Sequence, residues 1–164
     1  MQIKLSKFEN ISLFMKKKIA LVIVAILIII QFFHPKKNQS TEILATDITK
    51  VTTVPDNVLQ ILKIACYDCH SNNTAYPWYN NIQPVAWWLN NHVNEGKERL
   101  NFSTFGDYTT EKATKKMRGI AKVIEKDEMP LTSYTLIHRN AILDETQKQL
   151  VLNWSKSAVI TTAN

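Results

Sequence analysis

Both cysteines of this 164-residue chain lie in one pentapeptide, Cys66-Tyr67-Asp68-Cys69-His70. This C-x-x-C-H spacing is the attachment pattern of c-type haem. Two thiols three positions apart on a helical turn can form thioethers with the two vinyl groups of one porphyrin. The adjacent histidine is then placed to put an imidazole nitrogen on the iron. Other uses of the pair fit less well. A disulfide would close a very small loop and gain little. A redox-active C-x-x-C would sit in a strand–helix context that this chain does not show. A zinc site needs four ligands, and no second cysteine pair exists. The pattern therefore predicts one covalent haem c, with Cys66 and Cys69 as thioether donors and His70 as the proximal ligand of the iron.

The N-terminus carries a signal for export, which supports haem attachment. Ile19 to Ile30 is an unbroken apolar run preceded by Lys16-Lys17-Lys18. A basic stretch before an apolar core is an export signature. The run is short of the roughly 20 residues that span a bilayer, although lysines can snorkel to the headgroups. The residues that follow it, Gln31, Phe32, Phe33 and His34, are too bulky for a small-x-small cleavage site. The expectation is an uncleaved signal anchor in a bacterial inner membrane, crossing once, with the C-terminal part in the periplasm; the alternative is a periplasmic protein released by cleavage. The net charge of +6 belongs to the same signal: residues 1–18 hold five lysines against Glu9, and the remainder is close to balanced. Such a distribution marks topology and argues against nucleic acid as a partner.

The remaining chain reads as helical. Gly (3) and Pro (5) are too few for a fold of tight hairpins. Lys36 to Val54 is polar and aperiodic and reads as a linker. Asp56 is expected to cap a helix in which Val58, Leu59, Leu62 and Ala65 fall on one face, with the haem motif closing that helix. Ala113, Met117, Ile120, Ala121 and Ile124 make an apolar stripe on a helix from about Thr110 to Asp127. Asp144 and Gln147 have the spacing of a capping box, opening a last helix faced with Leu150, Val151, Trp154 and Ala158. The expected organisation is a basic segment (1–18), an anchor or signal segment (19–35), a linker (36–54) and an all-α, cytochrome c-like haem-binding domain (55–160).

The second axial ligand has two candidates. Met129, in Glu128-Met129-Pro130, lies past a helix end, where a loop can aim a thioether at the iron and Pro130 fixes its φ. Met117 falls inside the apolar stripe and reads as core. His92 is the alternative, on a helix beginning at Pro84 whose Val85, Trp88, Leu89 and His92 share a face. His138 is a weaker candidate, and His34 sits at the membrane boundary. Met/His ligation raises the reduction potential, so the ligand decides which redox partners fit. The aromatics between His70 and Thr110 (Trp78, Trp87, Trp88, Phe102 and Phe105 among them) read as core packing that can also wall a haem.

Cys66 to Thr74, Tyr76-Pro77-Trp78-Tyr79, Pro84 to Leu89, Leu100 to Ser103, Met129-Pro130-Leu131 and Ser133-Tyr134 together resemble the bacterial haem-binding domain family, over residues 55 to 157. The resemblance implies a short cytochrome c-like domain that binds haem; some members are fused to cytochrome c or peroxidase modules, and none is present here. A looser resemblance to class I cytochromes c rests on the order of first helix, loop methionine and last helix. The expected function is one-electron transfer between redox protein partners, not catalysis. The alternative is a haem-based sensor or ligand-binding module, or an accessory to a peroxidase.

Overall fold

A computed structural model describes residues 2–158, with side chains from Leu13 onward. The side chains of Lys4, Lys7 and Glu9, and the last two positions of the expected 55–160 domain, lie outside the described residues. Every described element is helical: α1 (Gln2–Ile30), α2 (Ile48–Val51), α3 (Asp56–Ala65), α4 (Tyr67–His70), α5 (Val85–Arg99), α6 (Thr110–Glu125), α7 (Thr132–Thr135) and α8 (Glu145–Ser157), with 3-10 turns at Trp78–Asn81, Phe102–Asp107 and Arg139–Ala141. Contacts divide the chain into two compact units. One holds Met1–Lys36 and Pro77–Leu89; the other holds Lys37–Tyr76 and Asn90–Asn164.

In the first unit, the basic segment and the apolar run form one continuous helix, α1. Ile19 to Ile29 are all exposed, so over this run α1 is apolar on every side. Among the described residues no helix is long and apolar enough to cross a membrane. Lys18 folds back toward the helix start, its Nζ 4.5 Å from the Phe14 ring centroid. At the other end, Gln83 is only 3 % exposed and closes the turn after α1. Its N–H donates to Gln31 Oε1 (2.9 Å), its Nε2 donates to Phe33 O (2.7 Å), and Gln31 Nε2 donates to Gln83 O (3.1 Å).

In the second unit, α8 packs on α6 and α3. The apolar stripe predicted on α6 is buried, Met117 included, and meets Val58, Ile61 and Leu62 of α3 and Val151 and Trp154 of α8. The capping box on α8 forms as expected: Gln147 N donates to Asp144 Oδ1 (2.8 Å) and Asp144 N to Gln147 Oε1 (3.0 Å). Asp56, however, is the first helical residue of α3 and caps nothing; extended Pro55 takes the cap position. Asp56 still complements the helix dipole from the first turn.

The stretch read as a linker contributes to the core. Asp47 caps α2 by accepting from Thr49 N (2.9 Å), which turns Ile48 inward to full burial beside Phe102 and Phe105. Upstream, Asn38 clamps the loop after the haem motif. Its Nδ2 donates to Ser71 O (2.8 Å) and Thr74 Oγ1 (2.9 Å), and its carbonyl accepts from Thr74 N (2.9 Å). Composition hid this role, because one buried isoleucine and one asparagine suffice and neither creates a periodic pattern.

Ile48→Ala should therefore cost about 2–5 kcal/mol in chemical denaturation, as for a buried isoleucine in a core. A loss near zero would restore the linker reading.

Candidate functional site

The C-x-x-C-H motif does not simply close α3. The helix breaks at Cys66 (φ −129°, ψ −39°), whose N–H still reaches Leu62 O (2.9 Å). Its carbonyl then accepts from Cys69 N (3.2 Å) and His70 N (3.0 Å), winding the motif into the separate turn α4. This break turns α4 toward the end of α5. Gly96 makes the approach possible: a Cβ there would stand 2.4 Å from the carbonyl oxygen of Cys69.

The contact fixes the histidine. His70 Nδ1 lies 2.9 Å from Gly96 O and 3.0 Å from Leu100 O. Both partners are carbonyls, so Nδ1 carries the proton and donates to both, leaving the Nε2 lone pair for a ligand. A histidine oriented in this way by a carbonyl on its far nitrogen is the usual arrangement of a metal ligand. Burial lowers the imidazole pKa below its ordinary value; the two carbonyls oppose this, and the cations of Arg99 and Lys116 reinforce it. The ring is neutral at pH 7, as metal ligation requires.

Burial, with the neighbouring thiol second, pushes Cys66 up to about 12, and burial, with Asp68 second, pushes Cys69 up to about 11. Both are free, half-buried thiols. A thiol held protonated is a poor nucleophile, so burial gives neither cysteine the activation that disulfide exchange draws on.

Two cavities meet these groups. One, of about 240 Å³, is lined by both cysteines, His70, His92, Met129 and Tyr134 among others. The other, of about 650 Å³, is lined by His70, Met129, Ile120 and Gly119 and by the cations Arg99, Lys112, Lys115 and Lys116, with Glu111 as its one carboxylate. His70 and Met129 border both; His92 borders only the first. Both sequence-derived candidates thus come to the thiols, and of the two only Met129 lines both cavities with His70. His138 instead stacks on Tyr134 at 4.2 Å, and His34 Nε2 lies 3.3 Å from Asn81 O.

The buried face of α5 is not the expected one. Ala86, Val93 and Gly96 are buried, while Trp88 is exposed and His92 only half-buried. Small residues form the contact because the backbones come close; the large ones are turned out. The aromatic set likewise divides: Phe102 and Phe105 are in the core, and Trp78, Trp87 and Trp88 are exposed.

Several contributors carried no sequence signal of their own. Asp68, between the cysteines, accepts from Ala75 N at Oδ1 (3.0 Å) and from Tyr134 Oη at Oδ2 (2.7 Å), tying the motif to its own loop and to α7. Hydrogen bonding to Asp68 adds to burial in raising the Tyr134 pKa, so the phenol stays protonated. Gly119, in the middle of α6, costs helix stability of about 0.5–1 kcal/mol relative to alanine. No packing requires it, since a Cβ there would meet nothing within 4 Å. It leaves the wall of the larger cavity open for a flat ligand.

These residues fit a porphyrin better than a bare metal ion. Among the described residues no three His, Cys, Asp or Glu gather to hold an ion. A porphyrin brings its own equatorial nitrogens and asks the protein only for axial ligands, which His70 and Met129 can provide.

Residues 25–157 match the family described as the haem-binding domain. No curated protein and no solved structure matches the chain. The matched span is most of the chain, and it takes in the stretch around Asn38 and Ile48 that packs with the motif. This chain belongs to the haem-binding domain family.

Proposed function

We propose that this protein is a membrane-anchored mono-haem c-type cytochrome that passes single electrons between redox proteins in the periplasm. The observation that carries the reading is His70: Nδ1 is committed to two carbonyls and Nε2 is left for iron, beside a cavity shared with both thiols and Met129. The iron supplies the one-electron couple when haem is bound. Cys66 and Cys69 would hold the haem, each thiol adding across one vinyl group with sulfur to one carbon and its hydrogen to the other, an addition that needs no oxidant. Arg99, Lys112, Lys115 and Lys116 line the larger cavity and would hold the porphyrin's carboxylates. Among the described residues none of the four makes an ion pair, which leaves their charge available.

On this reading Met129 would hold the iron together with His70, which favours electron transfer over catalysis. A second reading, a ligand-binding or sensing haem or a peroxidase accessory, draws on His92 and Glu95, which line the smaller cavity as distal groups would.

The anchor reading rests on α1. A helix that is apolar all round and exposed on every side needs a solvent of its own kind, and a bilayer provides it. The apolar run alone is shorter than a span, but the backward fold of Lys18 over Phe14 is the geometry of a lysine reaching for headgroups.

Full-length protein made in a host with haem-attachment machinery should show sharp reduced visible bands that survive solvent extraction. Cys66→Ala with Cys69→Ala should leave only extractable haem; fully extractable haem in the wild type would end the c-type reading. Met129→Ala should lower the potential and let the reduced protein bind carbon monoxide. If the wild type already binds it as readily, the sensor reading gains; if the variant's spectrum is unchanged, the ligand is not Met129 and His92 becomes the next residue to replace. Gly119→Ala and Gly119→Leu both suit α6, but only leucine is long enough to obstruct the larger cavity. Haem per protein should hold for the alanine variant and fall for the leucine variant, and equal loading would exclude this cavity as the seat.

A further inference from the structure

Three of the four tryptophans face solvent. Trp78, Trp87 and Trp88 are 76, 41 and 49 % exposed, although tryptophan is on average a well-buried residue. All three lie in Pro77–Leu89, together with Ile82, and that segment belongs to the same compact unit as α1. Its attachment is specific. Besides the Gln31–Gln83 exchange, Trp87 Nε1 donates to Phe33 O (2.9 Å) and His34 Nε2 lies 3.3 Å from Asn81 O. Phe32 and Phe33, also exposed, are the residues to which the segment is pinned or their neighbours. The exposed aromatics are thus held at the C-terminal end of an apolar helix, where the apolar surface gives way to Lys36 and Lys37.

Amphipathic rings concentrate at the boundary between hydrocarbon and water, where the apolar body is buried and the polar edge stays wet. A protein partner would cover one face of this unit. It would leave the other faces of α1 in water, whereas lipid covers the helix and its aromatic end together. The buried amide of Gln83 makes the geometry durable, because it satisfies backbone groups at the helix end that water would otherwise have to reach.

We infer that Pro77–Leu89, with Phe32 and Phe33, forms an aromatic collar that rests in the headgroup layer around the end of the anchor. This inference depends on the anchor proposed above. The collar gives the short apolar run a second hold on the bilayer, and the lysines behind it sit at the level of lipid phosphates.

The test is photo-crosslinking of the full-length holoprotein in phosphatidylcholine–phosphatidylglycerol vesicles containing a phospholipid with a diazirine near its acyl carbonyl. Mass spectrometry of the digest should find lipid adducts on the Pro77–Leu89 peptide as well as on α1. Trp78→Ser with Trp88→Ser should reduce the former and spare the latter. Adducts confined to α1 overturn the collar and leave the anchor standing, the result also expected if these tryptophans serve a protein partner. Adducts on neither, with the protein remaining in the supernatant when vesicles are sedimented, overturn the anchor and the collar with it.

Discussion

The two hydrogen bonds from His70 Nδ1 to the carbonyls of Gly96, in the last turn of α5, and Leu100, just beyond it, organise the second unit. Here the imidazole adds a second donor to Gly96 O, which already accepts from Leu100 N (2.9 Å), and satisfies Leu100 O just past the helix, where carbonyls run short of intrahelical partners. Lys116 Nζ does the same for Arg99 O, bringing α6 to the same end. This cluster of carbonyls therefore fixes the C-x-x-C-H turn, the end of α5 and the start of the larger cavity. The arrangement requires α4 and α5 to touch backbone to backbone, which only a glycine at position 96 allows. The bonds that orient the ring are also the ones that hold α4 against the end of α5.

A turn held this tightly must have its remaining polar groups paired, since an unpaired buried group costs about 1–3 kcal/mol. The loop after His70 meets this demand almost wholly with side chains. Asn72 N donates to Ser103 Oγ (3.0 Å), Asn101 Nδ2 donates to Asn72 Oδ1 (2.9 Å), and Thr74 Oγ1 donates to Asp68 O (2.6 Å). Asn38 closes the set from the far side of the sequence. The hydroxyl of Tyr67 is different: it is buried against Phe102 and has no hydrogen-bond partner among the described residues. Because these bonds are local and directional, they locate the motif without a large core beneath it.

This explains which parts were legible in the sequence. The helices with an apolar stripe or a capping box, α6 and α8, could be read directly, because period and cap are local properties. The motif could be read because its spacing is chemical. Ile48 and Asn38 could not, since each acts through residues far along the chain. The buried face of α5 was misread because small residues, not the tryptophans, mark a close helix contact. The resemblance nonetheless included Asn72, Asn101, Ser103 and Tyr134, residues that composition alone passes over. In the fold they are the partners that pin the loop, so the motif strings around C-x-x-C-H describe one hydrogen-bonded network, not several sites.

Charge gives the network a consequence. Outside the N-terminal segment the chain is nearly balanced, yet the balance is spatially uneven. Asp127 and Glu145 pair with Lys148, and Glu125 pairs with Lys156, at the C-terminal end of α6 and along α8. Arg99, Lys112, Lys115 and Lys116 share that cavity with Glu111 alone, and Lys112 and Lys116 both lean on the ring of Tyr108. Packing their stems on an aromatic keeps the charges together at a modest cost in repulsion. Burial and the neighbouring lysines lower the Lys116 pKa, the mark of crowded like charge. On the proposed reading, carboxylates of the porphyrin would relieve that crowding. Any positive charge left over would favour the state of the iron with one electron more, acting in the same direction as a methionine ligand. On that reading the potential would be set twice, by what binds the iron and by what surrounds it, and both would follow from where α5 and α6 end and begin.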